Sequence, residues 1–309
     1  MSGKNVAASV RQRLLNLSRS SGEDFQLLLT RYGVERLLFR LGASEFVDQF
    51  VLKGAMLFTV WTGHLHRPTR DLDLLGFGDP DAGRLLAVFR SLCAAAGPDD
   101  GLVFAADSVE VRPIREEQEY GGQRVTFVAR LGSARVDYQV DVGFGDAVTP
   151  AAERIEFPTL LGTERPRLRA YPRETVVAEK CEAMVSLGLA NSRMKDFYDL
   201  VVLARAFSFE GSVLVEAVRA TFARRKTAIP VALPVGLTDQ FTSDDAKRRQ
   251  WAAFRKRGGP EVGKMVGELD SVVAELRAFL GPLLAAAAAG GPSPARWPAG
   301  GPWGPPVPR

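Results

Sequence analysis

Residues Ala134–Phe144 read ARVDYQVDVGF. Val136, Tyr138, Val140 and Val142 alternate with Asp137, Gln139 and Asp141. A period of two is the pattern of a strand with one face in a core and the other toward water. Upstream, QRVTFVARL (Gln123–Leu131) alternates through Val125 and Phe127, with Val128 as a further apolar position. Before it, Gly83–Gly97 places Leu85, Leu86, Phe89 and Leu92 at helical spacing, and DLDLLGF (Asp71–Phe77) reads as another strand. Three or four strands with a helix between them predict an α+β or α/β core.

The flanks read differently. Val6 to Phe46 is helical in pattern, with Phe25, Leu28, Leu29 and Tyr32 on one stripe and Leu37, Leu38 and Leu41 on a second. FVLKGAMLFTVW (Phe50–Trp61) starts as a buried strand, meets Gly54 and continues as an apolar segment suited to a helix. After a loop around Pro166 and Pro172, ETVVAEKCEAMVSLGL (Glu174–Leu189) and RMKDFYDLVVLARAF (Arg193–Phe207) read as two helices, and helical pattern runs on to about Leu284. From Ala285 to Arg309 the chain is Ala, Gly and Pro with little else, a composition that predicts disorder.

The chain has 309 residues, 46% of them hydrophobic and 25% charged, with a formal net charge of +4. A large core can form. The basic excess is mild and permits a phosphate-rich partner without requiring one. Two cysteines without paired spacing argue against a disulfide framework and a zinc finger. The first twenty residues lack the apolar region of a signal peptide, and LLAAAAAGG is too short to cross a bilayer. A soluble cytoplasmic protein is expected.

RPTRDLDLL (Arg67–Leu75) carries the most chemistry. Asp71 and Asp73 flank Leu72, so a strand would project both carboxylates from one face. If its neighbour is the strand ending at Asp141, three carboxylates converge at one sheet edge. Such a set suits Mg²⁺, which takes oxygen ligands and often keeps substrate phosphates in its shell. The plain alternative is a wet strand face: 36 acidic residues in 309 give about four acid-x-acid pairs by chance. Context adds weight. Gly54 lets the backbone approach a phosphate, a helix after it offers N–H groups, and Lys53, Arg67 and Arg70 supply positive charge. Each of these has a bland reading as well, a strand-to-helix turn or a solvated base. His64 and His66 read as surface loop residues.

A second constellation is helical. Val176, Lys180 and Met184 recur at i, i+4 and i+8, which points Lys180 along a buried stripe. A lysine there needs a partner, a ligand or a snorkelling stem. Asp196 and Asp199 lie three apart on the next helix. An Asp in a first helical turn and a Lys195–Asp199 pair at i, i+4 are their ordinary explanations. The basic segment from Arg219 to Arg257, with Trp251 and Phe254, reads either as an RNA-binding surface or as a solvated helix face.

Taken together, FVLKGAMLF, RPTRDLDL, DVGFGD, AEKCEAMVSLG and SRMKDFYDL, in that order and followed by RRKTAIP and KRRQWAAF, resemble the AbiEii/AbiGii family of nucleotidyltransferase-like toxins. The resemblance runs from about Phe25 to Arg257. It implies an α+β fold: a nucleotidyltransferase-like mixed β-sheet core with N-terminal helices over residues 1–165, a C-terminal helical domain over 166–284, and a disordered tail over 285–309. It implies transfer of a nucleotide from an NTP to an acceptor, tRNA at its 3′ end in some members, with an antitoxin partner that often carries a winged-helix DNA-binding domain. The family's Ser/Thr-x-Asp-x-Asp motif falls on Thr69, Asp71 and Asp73, its helical lysine on Lys180, and the Asp of its R-x-K-D element on Asp196. Asp71, Asp73 and Asp141 then hold Mg²⁺, and Asp141 also helps deprotonate the attacking hydroxyl. Lys53, Gly54, Arg67, Thr69, Arg70 and Lys180 attend the nucleotide. One departure stands out: Ala55 occupies the second position of the Gly-Gly or Gly-Ser cradle, and the spacing from Gly54 to Asp71 is long. A catalytically inactive nucleotide- or partner-binding module and a small-molecule nucleotidyltransferase are the competing readings.

Overall fold

A computed structural model of the chain describes residues 3–95, 97–114, 122–290 and 293–305. It divides into two compact units: residues 1–145 with 153–170, and residues 146–152 with 171–309.

The first unit opens with two helices, α1 (Gly3–Ser21) and α2 (Phe25–Gly42). Asp24 caps α2 by accepting the Leu27 N–H at 2.9 Å, a contact worth about 1 kcal/mol. Strand β1 (Phe50–Lys53) follows, then the short helix α3 (Leu57–Thr62), β2 (Leu72–Gly76) and α4 (Ala82–Ala94). The long strands β3 (Leu102–Pro113), β4 (Gln123–Leu131) and β5 (Ala134–Phe144) come next, and β6 (Glu153–Glu156) and β7 (Arg167–Ala170) complete the unit. All seven form one mixed sheet in the order β3-β4-β5-β2-β1-β7-β6. Strand β2 runs parallel to β5 and antiparallel to β1, while β7 is parallel to β1.

The alternation in β4 and β5 does what its spacing predicts. Val125, Phe127, Val136, Tyr138, Val140 and Val142 are buried. Tyr138 reaches α2, donating its hydroxyl to the Leu29 carbonyl at 3.3 Å. That commits one face to the core and leaves Arg124, Asp137 and Asp141 on the other. Strand β7 falls inside the segment read above as a loop, and β6 lies in the stretch before it. They are four residues each, ERIE and RLRA, too short and too charged to show an apolar period. The connection between them is clasped by buried polar side chains. Glu35 accepts the Leu160 N–H at 3.0 and 3.1 Å, and the fully buried Arg36 donates to the Glu164 carbonyl at 2.9 Å.

The second unit contains α5 (Arg173–Leu187), α6 (Met194–Ala206), β8 (Phe209–Glu210), α7 (Gly211–Arg224), α8 (Asp239–Ser243), α9 (Asp245–Met265), α10 (Leu269–Ala289) and β9 (Arg296–Trp297). Helix α10 is long and apolar enough to cross a membrane, yet Val272, Val273, Leu276, Phe279 and Leu280 are buried within this unit. The expectation of a disordered tail from residue 285 is corrected. The helix continues to Ala289, and β9 pairs antiparallel with β8. Trp297 is 2% exposed, donates to the Ala204 carbonyl at 2.7 Å and packs with Phe279 and Trp303. Two buried indole contacts outweigh the Gly/Pro composition around them. Residues 291–292 and 306–309 of that expectation lie outside the described residues.

Candidate active site

The carboxylate pair sits where β1, β2 and β5 run side by side. Asp73 lies in β2, opposite Lys53 of β1 on one side and Asp141 of β5 on the other. Residues in register share a face, so Asp73 and Asp141 project together. Arg124 of β4 is next in the same row and grips Asp141 bidentately, Nε to Oδ1 and Nη2 to Oδ2, both at 2.8 Å. Arg124 was not among the residues the sequence singled out. Its signal was there, as a base at a polar position of an alternating strand, but the strand register that seats it on Asp141 is a three-dimensional fact.

Gly54 follows β1 with φ of 76°, a left-handed conformation that favours glycine. A Cβ there would stand 2.0 Å from Asp73 Oδ2. The close approach of backbone to carboxylate therefore requires glycine. Ala55 is buried and adds no hydroxyl. Of the N–H groups after Gly54, three turn inward. Leu57, Phe58 and Thr59 donate back to the carbonyls of Gly54, Ala55 and Met56 at 3.1–3.3 Å, closing tight turns into the six-residue α3.

Asp71 precedes β2 and is exposed. Thr69 and Arg70 lie in the loop ahead of it and make no side-chain hydrogen bond or ion pair among the described residues. Arg67 is half-buried in the same loop. His64 and His66 lean on each other, with ring centroids 4.5 Å apart, and both contact Thr62.

Magnesium takes hard oxygen donors, and Asp71, Asp73 and Asp141 offer only those. The Gly54 cradle keeps the backbone clear around Asp73. The residues fit such a cation as a pair rather than a cluster. Among the described residues, no group of three or more His, Cys, Asp or Glu is placed to hold a metal. The expected convergence of three carboxylates reduces to the in-register pair Asp73–Asp141, with Asp71 outside the strand.

In the second unit Lys180 is neither solvated nor snorkelling. Its Nζ lies 2.6 Å from Asp196 Oδ1 and 2.9 Å from Asp199 Oδ2, and the two carboxylates are 9% and 2% exposed. Asp199 is thus taken by Lys180, and Lys195 stays exposed. A second buried cluster lies in the same unit and escaped the sequence. Arg225 meets Asp146 at 3.1 Å, Glu179 at 3.5 Å and Glu182 at 2.8 Å, and Thr227 donates to Glu182 at 2.6 Å. Burial pulls the Arg225 pKa down, but Glu179, Asp146 and Glu182 outweigh it, so the guanidinium is held more firmly charged than usual.

Part of the basic segment Arg219–Arg257 is structural, while Arg224, Lys226, Arg249, Lys256 and Arg257 are exposed. Arg219 donates to the carbonyls of Ala286 and Ala287, Lys247 to that of Asn191, and Arg248 to that of Thr242. Trp251 is 1% exposed and donates to the Gly267 carbonyl at 3.1 Å. An indole so placed cannot stack on a base, and the half-buried Phe254 packs against it and Tyr198. Both cysteines are buried, which pushes each thiol up to about 12 and keeps it from acting as a thiolate. A groove of about 210 Å³ lies at the β6–β7 edge, lined by Asp48, Arg154, Glu156, Arg167 and Arg169 among others. Arg167 pairs there with Glu156 at 2.9 Å, and none of the row from Lys53 to Arg124 lines it.

Residues 36–279 match the family described as the nucleotidyl transferase AbiEii toxin of type IV toxin–antitoxin systems. Among solved structures, the chain is similar to JHP933 from Helicobacter pylori, with 15% identity, a TM-score of 0.48, and coverage of 86% of this chain and 91% of that one. It is also similar to a candidate nucleotidyltransferase from H. pylori, with 16% identity, a TM-score of 0.49, and coverage of 86% and 94%. No curated protein matches it.

Proposed function

This chain belongs to the AbiEii family of nucleotidyltransferase toxins, and we propose that it moves a nucleotide from an NTP to the 3′ end of a tRNA with Mg²⁺ held by the in-register pair Asp73 and Asp141 and approached by Asp71 from the loop ahead of β2. The observation that carries this reading is the in-register pair Asp73–Asp141 beside a glycine whose Cβ position is filled by Asp73. Two carboxylates directly opposite on neighbouring strands repel; Arg124 offsets that charge at Asp141, and a cation bound between the pair can offset it in the same way. Asp73 and Asp141 would hold a divalent cation there, which would supply neutralisation of charge on the attacking hydroxyl and the leaving pyrophosphate.

The chain's own residues divide the remaining work. Asp141 takes the proton of the attacking hydroxyl. Gly54 lets the triphosphate approach the backbone, with Lys53, Arg67, Thr69 and Arg70 as its polar contacts, Thr69 standing in for the hydroxyl that Ala55 lacks. In the helical unit, Lys180 is taken as a nucleotide-binding residue. Asp196 orients it, and Asp199 holds its other side, so the ammonium is a fixed point charge. The family implies an antitoxin partner. We take it to be a winged-helix regulator, and the site of action to be the cytoplasm, where the two unpaired cysteines stay reduced.

Growth of cells expressing the protein tests this. Wild type should arrest growth, and Asp71→Ala and Asp73→Asn should each relieve the arrest at equal protein level. Variants as toxic as wild type would show that the toxicity is not catalytic.

A further inference from the structure

Five charged residues stand in one row across five strands. Lys53 of β1 is opposite Asp73 of β2, Asp73 is opposite Asp141 of β5, Asp141 is opposite Arg124 of β4, and Arg124 is opposite Arg112 of β3. The order of charge is plus, minus, minus, plus, plus, all on the face away from the valine core. We infer that Arg124 is a positioning residue that holds Asp141 when no cation is bound, yields that carboxylate to the cation, and then takes a phosphate oxygen of the polyphosphate the cation carries. This rests on the metal-dependent reading above and adds a role for a residue outside it.

The geometry supports each step. Arg124 occupies both oxygens of Asp141 at 2.8 Å, which is the strongest form of the pair. The pair is only partly open to water, with side chains 43% and 21% exposed. A divalent cation on Asp141 would stand a few ångströms from the guanidinium, and like charges at that range repel strongly where water is scarce. Cation entry and the bidentate grip therefore compete for the Asp141 carboxylate. The displaced guanidinium remains tethered to β4, one register position from the cation. Its planar fork matches phosphate oxygens as well as it matched the carboxylate. Arg112, 75% exposed and paired with Glu110 at 2.7 Å, extends the positive end of the row outward. The ligand class is a polyphosphate bound through a divalent cation.

The test uses the full chain as wild type, Arg124→Met, Arg124→Lys and Asp73→Asn, each checked for native circular dichroism. Free Mn²⁺ is followed by its electron paramagnetic resonance signal, and tripolyphosphate binding is then measured by calorimetry at saturating Mn²⁺. Arg124→Met should bind Mn²⁺ several-fold more tightly than wild type and tripolyphosphate several-fold more weakly. Arg124→Lys, which cannot grip both oxygens, should fall between and serves alone if the Met variant does not fold. A residue needed only for folding would move both affinities the same way, so the opposite signs are the signature. Mn²⁺ binding by Arg124→Met equal to or weaker than wild type, or unchanged tripolyphosphate binding, overturns the role of Arg124. Asp73→Asn separates the two claims: if it binds Mn²⁺ as wild type does, the carboxylate site itself fails, and the role of Arg124 goes with it.

Discussion

Lys180 Nζ sits 2.6 Å from Asp196 Oδ1, joining α5 to α6 inside the helical unit. With Asp199 at 2.9 Å, the ammonium bridges two buried carboxylates. Lys180→Met should therefore destabilise the unit by roughly 3–5 kcal/mol, because removing one partner of a buried pair strands the other. Asp196→Asn should cost less, since Asp199 still balances the lysine. Urea melts of the two variants check the order, and equal midpoints would mean that the pair is not held as described.

Gly54 and Gly63 make a matched pair for the cradle. Both have positive φ, 76° and 82°, but a Cβ at Gly63 meets nothing within 4 Å while one at Gly54 meets Asp73 Oδ2. Gly63→Ala should cost only the backbone strain, on the order of 1 kcal/mol. Gly54→Ala should cost more and should also displace Asp73, lowering nucleotide transfer at least ten-fold. Transfer rates measured beside thermal melts separate the two effects. Equal loss in both variants would remove the cradle from the account.

Glu35 offers a pH signature. Burial pushes its carboxyl up to about 8, against the opposing pull of the Leu160 N–H, Arg36 and Arg31. A raised acid binds its proton more tightly folded than unfolded. The stability it contributes is complete below its ordinary value of 4.5 and is lost as pH rises toward 8. Glu35→Gln keeps an acceptor for Leu160 and removes the ionisation. The variant should be more stable than wild type by about 1–2 kcal/mol at pH 9, with no such advantage at pH 5. Denaturant melts at the two pH values decide it, and a difference independent of pH would contradict the assignment.

The tail makes its own prediction. Trp297→Ala removes a buried indole and its bond to the Ala204 carbonyl, a loss of about 3–5 kcal/mol. A floating tail would make the same change silent. Thermal melts, or the rate of proteolytic cleavage after Ala289, distinguish the two.

What the sequence made legible follows from physics that is local. Period two in QRVTFVARL and ARVDYQVDVGF announced β4 and β5, because one face of each is buried along most of its length. Lys180 announced itself as a base on a buried helical stripe, and its partners lay in the next helix. Strands β6 and β7 left no such mark, since a four-residue strand with exposed arginines carries no apolar period. The docking of Trp297 was hidden beneath a Gly/Pro-rich composition that ordinarily lacks a core. Arg124 was invisible as a partner of Asp141 because register, not sequence distance, sets that contact. The aromatic part of the basic segment misled for the opposite reason: Trp251 looked available in a charged stretch but faces the core.

The central claim is that the Asp73–Asp141 pair carries nucleotide transfer to RNA. The direct measurement incubates the purified protein with Mg²⁺, each α-labelled NTP in turn and total RNA, beside Asp73→Asn. The account predicts label on a tRNA-sized band with wild type, dependent on one or more NTPs, abolished by chelation and by Asp73→Asn. No label on RNA under any of these conditions, or equal labelling by Asp73→Asn, would contradict it.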